Sequence, residues 1–228
     1  MVIFNDSIVE VTMRQIKILA FGAFIFAAFT SVAVGQQVTT SPNHTIGDKA
    51  IKIRRVVTGH STDGKSVFAS DLQVKPIEIE GAPGLQFYRL WGSDSTAHFP
   101  DDGAPPMMQK YFPPVGGYRV VIFTVPPQSP APANVDPKAV NAEIEHKLPG
   151  LLEYMEPDAP GMHTTNTVDF EYVISGHVIL ELDDGATREL GPGDTIVQNG
   201  TRHAWRNPYS EPCKMVVFMV GAVRAGGG

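Results

Sequence analysis

Cysteine is almost missing from this chain, with Cys213 the only one in 228 residues. A single thiol closes no internal disulfide, so packing alone must hold the fold. Cys213 enters an apolar run beside Lys214 and Met215 and reads as a small buried hydrophobe rather than a reactive thiol. Basic excess is missing too. Lysine and arginine number 18 against 24 acidic residues, a net charge of −6, so no basic face invites nucleic acid. Blocks of like charge are absent, and no internal repeat is strong enough to claim a duplicated domain. The length suits one large domain or two small ones and suffices to bury a core.

What is present begins with an apolar stretch. Arg14 and Lys17 precede the run from Ile18 to Gly35, which exits through Ala33 and Gly35 just before Gln36. A basic flank, an apolar centre and a small-residue exit predict a signal peptide over residues 1–35, with Met13 an alternative start. A membrane anchor is the competing reading, since the run approaches spanning length. On the leader reading the mature protein works in the periplasm or outside the cell, free of the membrane. Residues 36–49 read as a disordered polar tail, and residues 50–228 as a single domain.

The mature chain reads as β-rich. "IKIRRVV" and "KSVFAS" flank a turn at Ser61 to Gly64, and "PIEIE" and "LQFYRLW" flank "GAPG", giving two hairpins. Residues 92–116, rich in Gly, Pro and Asp, read as a long loop. "YRVVIFTV" is apolar on both parities and predicts a central buried strand. Asp136 before Pro137 is a helix start, with Val140, Ile144 and Leu148 as one apolar stripe and Pro149-Gly150 as the stop. From Met162 onward short strands alternate with tight turns, among them Asp184-Gly185, as in a compact barrel or sandwich.

Two stretches carry a family likeness. "GMHTTNTVDFEYVISG" closes on Gly176, and "GDTIVQNGTRHAWRN" runs from Gly193 to Asn207. Their order and spacing resemble the two motifs of the cupin family, over roughly Tyr118 to Val223. The resemblance implies a double-stranded β-helix (jelly-roll) barrel, with the N-terminal hairpins extending its sheets or pairing with a second subunit in a homodimer. It aligns His163 with the family's first histidine, Asp169 with its glutamate and His203 with the histidine of the second motif. Thr165 stands where the family has another histidine, and Gln198 where it has a proline.

His163, Thr165 and Asp169 share parity, so an unbulged strand turns all three inward. On the resemblance, His163, Asp169 and His203 form a candidate metal set. Two imidazoles and a carboxylate suit iron, zinc, manganese, nickel or copper in a dioxygenase- or isomerase-type enzyme. A barrel without metal, binding a small organic ligand, is the reading that Thr165 favours. In it His203 is a candidate general acid or base oriented by Asp169 or Glu171. Thr165, Glu171, Gln198 and Trp205 are the candidate pocket residues, with Trp205 on the face of His203. Phe170 and Tyr172, of opposite parity, are expected to pack between sheets. Arg202 and Arg206 are expected on a solvated face.

Overall fold

Alternation in the first β signals becomes a hairpin of β1 (Ile53–His60) and β2 (Ser66–Val74), which forms a two-stranded sheet of its own. The computed structural model describes residues 52–99, 108–129 and 135–225, so the leader and the polar tail lie outside the described residues. The second hairpin, β3 (Ile77–Glu78) and β4 (Gln86–Ser93), does extend the large sheet. That sheet is antiparallel and has six strands, in the order β3-β4-β5-β11-β6-β9. The other members are β5 (Tyr118–Val125), β6 (Thr167–Ser175), β9 (Thr195–Gln198) and β11 (Cys213–Gly221). β5 and β11 fill the two central positions, as their apolar runs require. A three-stranded sheet of β10 (Ala204–Arg206), β7 (Val178–Glu181) and β8 (Thr187–Leu190) makes the opposing wall. Together the sheets form the expected jelly-roll barrel.

Parity decides what β6 turns inward. Thr167, Asp169, Glu171 and Val173 are buried, whereas Val168, Phe170 and Tyr172 face out. Phe170 and Tyr172 are 48% and 40% exposed, so they do not pack between the sheets as expected. The interior parity is already taken by the residues between them. Across the outer face, register sets Phe170 beside Val197 of β9 and Phe218 of β11.

The helix α1 (Pro137–Lys147) follows its sequence signals. The Asp136 carboxylate accepts the Lys138 N–H at 3.0 Å, satisfying one donor of the first turn. Val140, Ile144 and Leu148 pack on Ile79, Phe87, Tyr111 and Phe112, closing the barrel on that side. Each fully buried apolar side chain of this kind contributes roughly 1.5–3 kcal/mol. Between β7 and β8, Asp184 and Gly185 take φ of 56° and 70°, and the Ala186 N–H bonds to the Asp183 carbonyl. This is the two-residue turn expected of Asp-Gly.

One residue beside the long loop has a role its neighbours hide. Arg119 on β5 is fully buried. Its guanidinium donates to the carbonyls of Ser93 at 2.7 Å and Lys110 at 3.1 Å, and it pairs with the Asp94 carboxylate. Arg119 thereby ties the loop to the sheet at the point where the loop delivers Tyr111 and Phe112 to the interior.

Gly176, which ends β6, takes φ of +73° with the Pro212 carbonyl oxygen 2.3 Å from where a Cβ would stand. Both facts exclude a side chain. Gly176→Ala is expected to cost about 2 kcal/mol or more, read as a lowered urea midpoint with an unchanged m value.

Candidate functional site

The two candidate histidines come together through backbone pairing. His163 and His203 form an antiparallel bridge, each N–H donating to the other's carbonyl at 3.0 Å. Residues directly opposite in such a pair share a face, so the imidazoles meet. Their ring centroids lie 4.1 Å apart at an interplanar angle of 50°. The bridge continues the three-stranded sheet beyond Ala204, which is why the second motif supplies the partner that the first one lacks.

The protons on these rings follow from their partners. His163 Nδ1 lies 3.0 Å from the Gly161 carbonyl, and His203 Nδ1 lies 2.9 Å from the Thr201 carbonyl. A carbonyl oxygen only accepts, so both Nδ1 atoms carry hydrogen and both Nε2 atoms present a lone pair. Burial pushes the His163 imidazole below its usual range. Burial and then the neighbouring His163 push His203 down to about 3. Both rings are neutral near pH 7, and His203 is too weak a base to collect a proton there. Its orientation comes from the Thr201 carbonyl, not from Asp169 or Glu171 as expected.

The carboxyls come from β6. Asp169 and Glu171 are 5% and 3% exposed, two residues apart on the inward face. Thr165 donates to Thr167 at 2.8 Å, because the Thr167 hydroxyl spends its own proton on Asp169 Oδ2 at 3.1 Å. Asp169 Oδ1 and Glu171 Oε2 are buried with no hydrogen-bond partner. Burial raises Asp169 to about 7. Burial and then the charge of Asp169 raise Glu171 to about 8. These carboxyls, rather than the histidines, can exchange a proton near neutral pH.

All of this surrounds a cavity of about 250 Å³ between the two sheets. Its wall includes His163, Thr165, Asp169, Glu171, His203 and Trp205, so three of the four candidate pocket residues border it. Trp205 meets His203 edge-on at 5.8 Å, on the shared face expected of their spacing. Gln198 does not border the cavity. It is buried opposite Asp169 in the β6–β9 register, and the cavity ends short of it.

The candidate metal set is gathered only in part. Among the described residues no three of His, Cys, Asp and Glu form a group able to hold a metal. The Thr165–Thr167–Asp169 chain engages Asp169 Oδ2 along its own strand, and a threonine hydroxyl is no substitute for an imidazole. The donor set therefore does not fit a three-ligand centre, and two imidazoles are what remains of it.

Several wall residues carry no motif. Tyr111 and Phe112 come from the long loop and Phe87 and Phe123 from β4 and β5. Their only signal in the sequence is an aromatic pair inside a Gly/Pro-rich loop. Arg202 and Arg206 are not simply solvated. Arg202 pairs with Glu156 and Asp183, and Arg206 pairs with Glu181 at 2.6 Å on the cavity border. His98, His146 and His177 are exposed, as expected for histidines without a role.

Comparison with known proteins gives four likenesses. Residues 151–219 match the family model described as "Cupin domain". The chain is 29% identical over 163 residues to Oryzines biosynthesis cluster protein J of Aspergillus oryzae, covering 69% of this chain and 75% of that one. It is 34% identical over 93 residues to a cupin-domain-containing oxidoreductase of Neurospora crassa, covering 38% of this chain and 47% of that one. The chain thus spans less than half the length of the Neurospora protein. Among solved structures, a Cupin 2 conserved barrel domain protein from Salinispora arenicola is 15% identical, with a TM-score of 0.33, covering 65% of this chain and 88% of that one.

Proposed function

The chain belongs to the cupin superfamily, and we propose that it binds a small organic molecule inside its barrel. The observation that carries this reading is the cavity of about 250 Å³, whose aromatic walls converge on a few unpartnered polar atoms. Ligand sites have this composition: apolar surface for affinity, with a small number of placed polar groups for orientation. An apolar cavity of about 150 Å³ accepts benzene, so this volume suits a ring with a few substituents, roughly a dozen non-hydrogen atoms. Two relatives whose names speak of biosynthesis and of an oxidoreductase are consistent with a small-molecule substrate. The leader pattern supports action outside the cytoplasm, which N-terminal sequencing of the exported protein would check by finding Gln36 first.

The test is a thermal-shift screen of small organic molecules on the purified, untagged protein, paired with elemental analysis. Saturable rises in Tm are expected in wild type and are weakened in His163→Ala and His203→Ala. A screen in which no compound of this size shifts Tm would overturn the reading. Stoichiometric metal lost in both variants would replace it with the metal-dependent enzyme that the two bare Nε2 atoms also suggest.

A further inference from the structure

The polarity of the cavity wall runs one way. Following each proton to its acceptor leaves His163 Nε2, His203 Nε2 and Thr165 Oγ1 as acceptors, because the hydrogens of these side chains are spent within the protein. Asp169 Oδ1 and Glu171 Oε2 add two buried oxygens without partners, which become acceptors only once their carboxyls ionise. The basic and amide groups of the wall point the other way. The Arg206 guanidinium is held by Glu181 and the Pro160 carbonyl, and the Asn207 amide donates to the carbonyls of Val125 and Glu211. The Tyr111 hydroxyl, the Trp205 indole N–H and the amide of Gln128, exposed at the rim, are the other donors of the wall.

From this accounting we propose that the cavity selects an organic ammonium: a small aromatic or aliphatic amine bound as its cation. An ammonium brings up to three N–H donors to five acceptors that otherwise lack them. Its positive charge also favours ionisation of two carboxyls that no basic side chain pairs with among the described residues, and pairs with the charge that results. Leaving those oxygens unpaired costs the folded protein, so a ligand that satisfies them recovers that cost on binding. Phe87, Tyr111, Phe112, Phe123 and Trp205 supply ring faces for the body of the amine and for its charge. An anion gains no such pair and is repelled by either carboxyl once it ionises.

The inference rests on the reading that the barrel binds a small organic molecule, and its test separates the two. Full-length protein, treated with a chelator to remove adventitious metal, is titrated by calorimetry with benzylamine, benzyl alcohol and benzoate. These probes share a ring and differ in charge. Benzylamine is expected to bind at least tenfold more tightly than either of the others. Glu171→Gln and Asp169→Asn, near-isosteric changes, should erase that preference while benzyl alcohol still binds, with thermal melts confirming that each variant is folded. Benzyl alcohol or benzoate binding as well as benzylamine overturns the ammonium proposal and leaves the small-molecule reading standing. Binding by none of the three overturns both.

Discussion

Wild-type protein should lose stability between pH 6.5 and 8, and the double variant Asp169→Asn, Glu171→Gln should not. The two carboxyls titrate near 3.8 and 4.5 in the unfolded chain and near 7 and 8 in the fold. Below about pH 3 both states hold the protons, so the carboxyls impose no penalty. As pH rises through the unfolded values, only the unfolded chain gives up its protons, and the fold weakens until the native groups ionise. Each shift of about three units corresponds to roughly 4 kcal/mol for either carboxyl taken alone. The pair totals less than twice that, because repulsion between them is shared.

The histidines act in the opposite sense. His163 and His203 are held neutral in the fold, so their contribution is present above pH 6.5 and lost as pH falls, for His203 towards about 3. Between pH 4.5 and 6.5 the native state carries two extra carboxyl protons, while the unfolded state carries an extra imidazole proton at His203 and a share of one at His163. The slopes oppose each other, so the net decline is shallow over that range. Above it only the carboxyl limb remains. Urea unfolding at half-unit pH steps reads this directly. The double variant should instead rise from pH 4 to 6.5 and then stay flat. A wild-type curve that is level from pH 6.5 to 8 would mean that the carboxyls are not buried as neutral acids.

The site explains why part of it is legible in the sequence and part is not. Turn chemistry and parity announce themselves locally. Gly176, Asp184-Gly185 and the Asp136-Pro137 helix start each impose a backbone state that few residues accept, and each stands where its residues require. His203 is legible for the same reason, because motif spacing places it in a strand of known direction. The role of Asp169 is not, since it depends on a hydrogen-bond chain that begins at Thr165 and runs along β6. Whether a carboxylate reaches towards two imidazoles or turns back to its own strand is decided by side-chain torsions, which spacing does not encode. Tyr111 and Phe112 escape for another reason. A loop has no periodicity, so nothing in it distinguishes an aromatic that dives into the barrel from one that stays in solvent.

What makes that loop dive is Arg119, and its removal should produce the largest loss of any single change away from a glycine. In the sequence Arg119 is a lone charge in an apolar run. In the fold it is fully buried, with Asp94 as counter-ion and the carbonyls of Ser93, Tyr118 and Lys110 as acceptors. Arg119→Met keeps the aliphatic bulk but strands three carbonyls and one carboxylate that is itself only 34% exposed. Breaking a buried pair from one side costs about 3–5 kcal/mol. Arg119→Lys restores the charge but not the forked geometry that reaches several acceptors together, so it should recover less than half of the loss. The Lys110 carbonyl is one residue from Tyr111. Releasing it frees the aromatic pair that walls the cavity, and small-molecule affinity should fall along with stability. Asp94→Asn supplies the control. It removes the counter-ion yet leaves the carbonyl contacts that position the loop, so it should lower Tm while keeping most of the affinity. Equal loss of affinity in Asp94→Asn and Arg119→Met would show that charge, rather than the tether to Lys110, holds the wall in place.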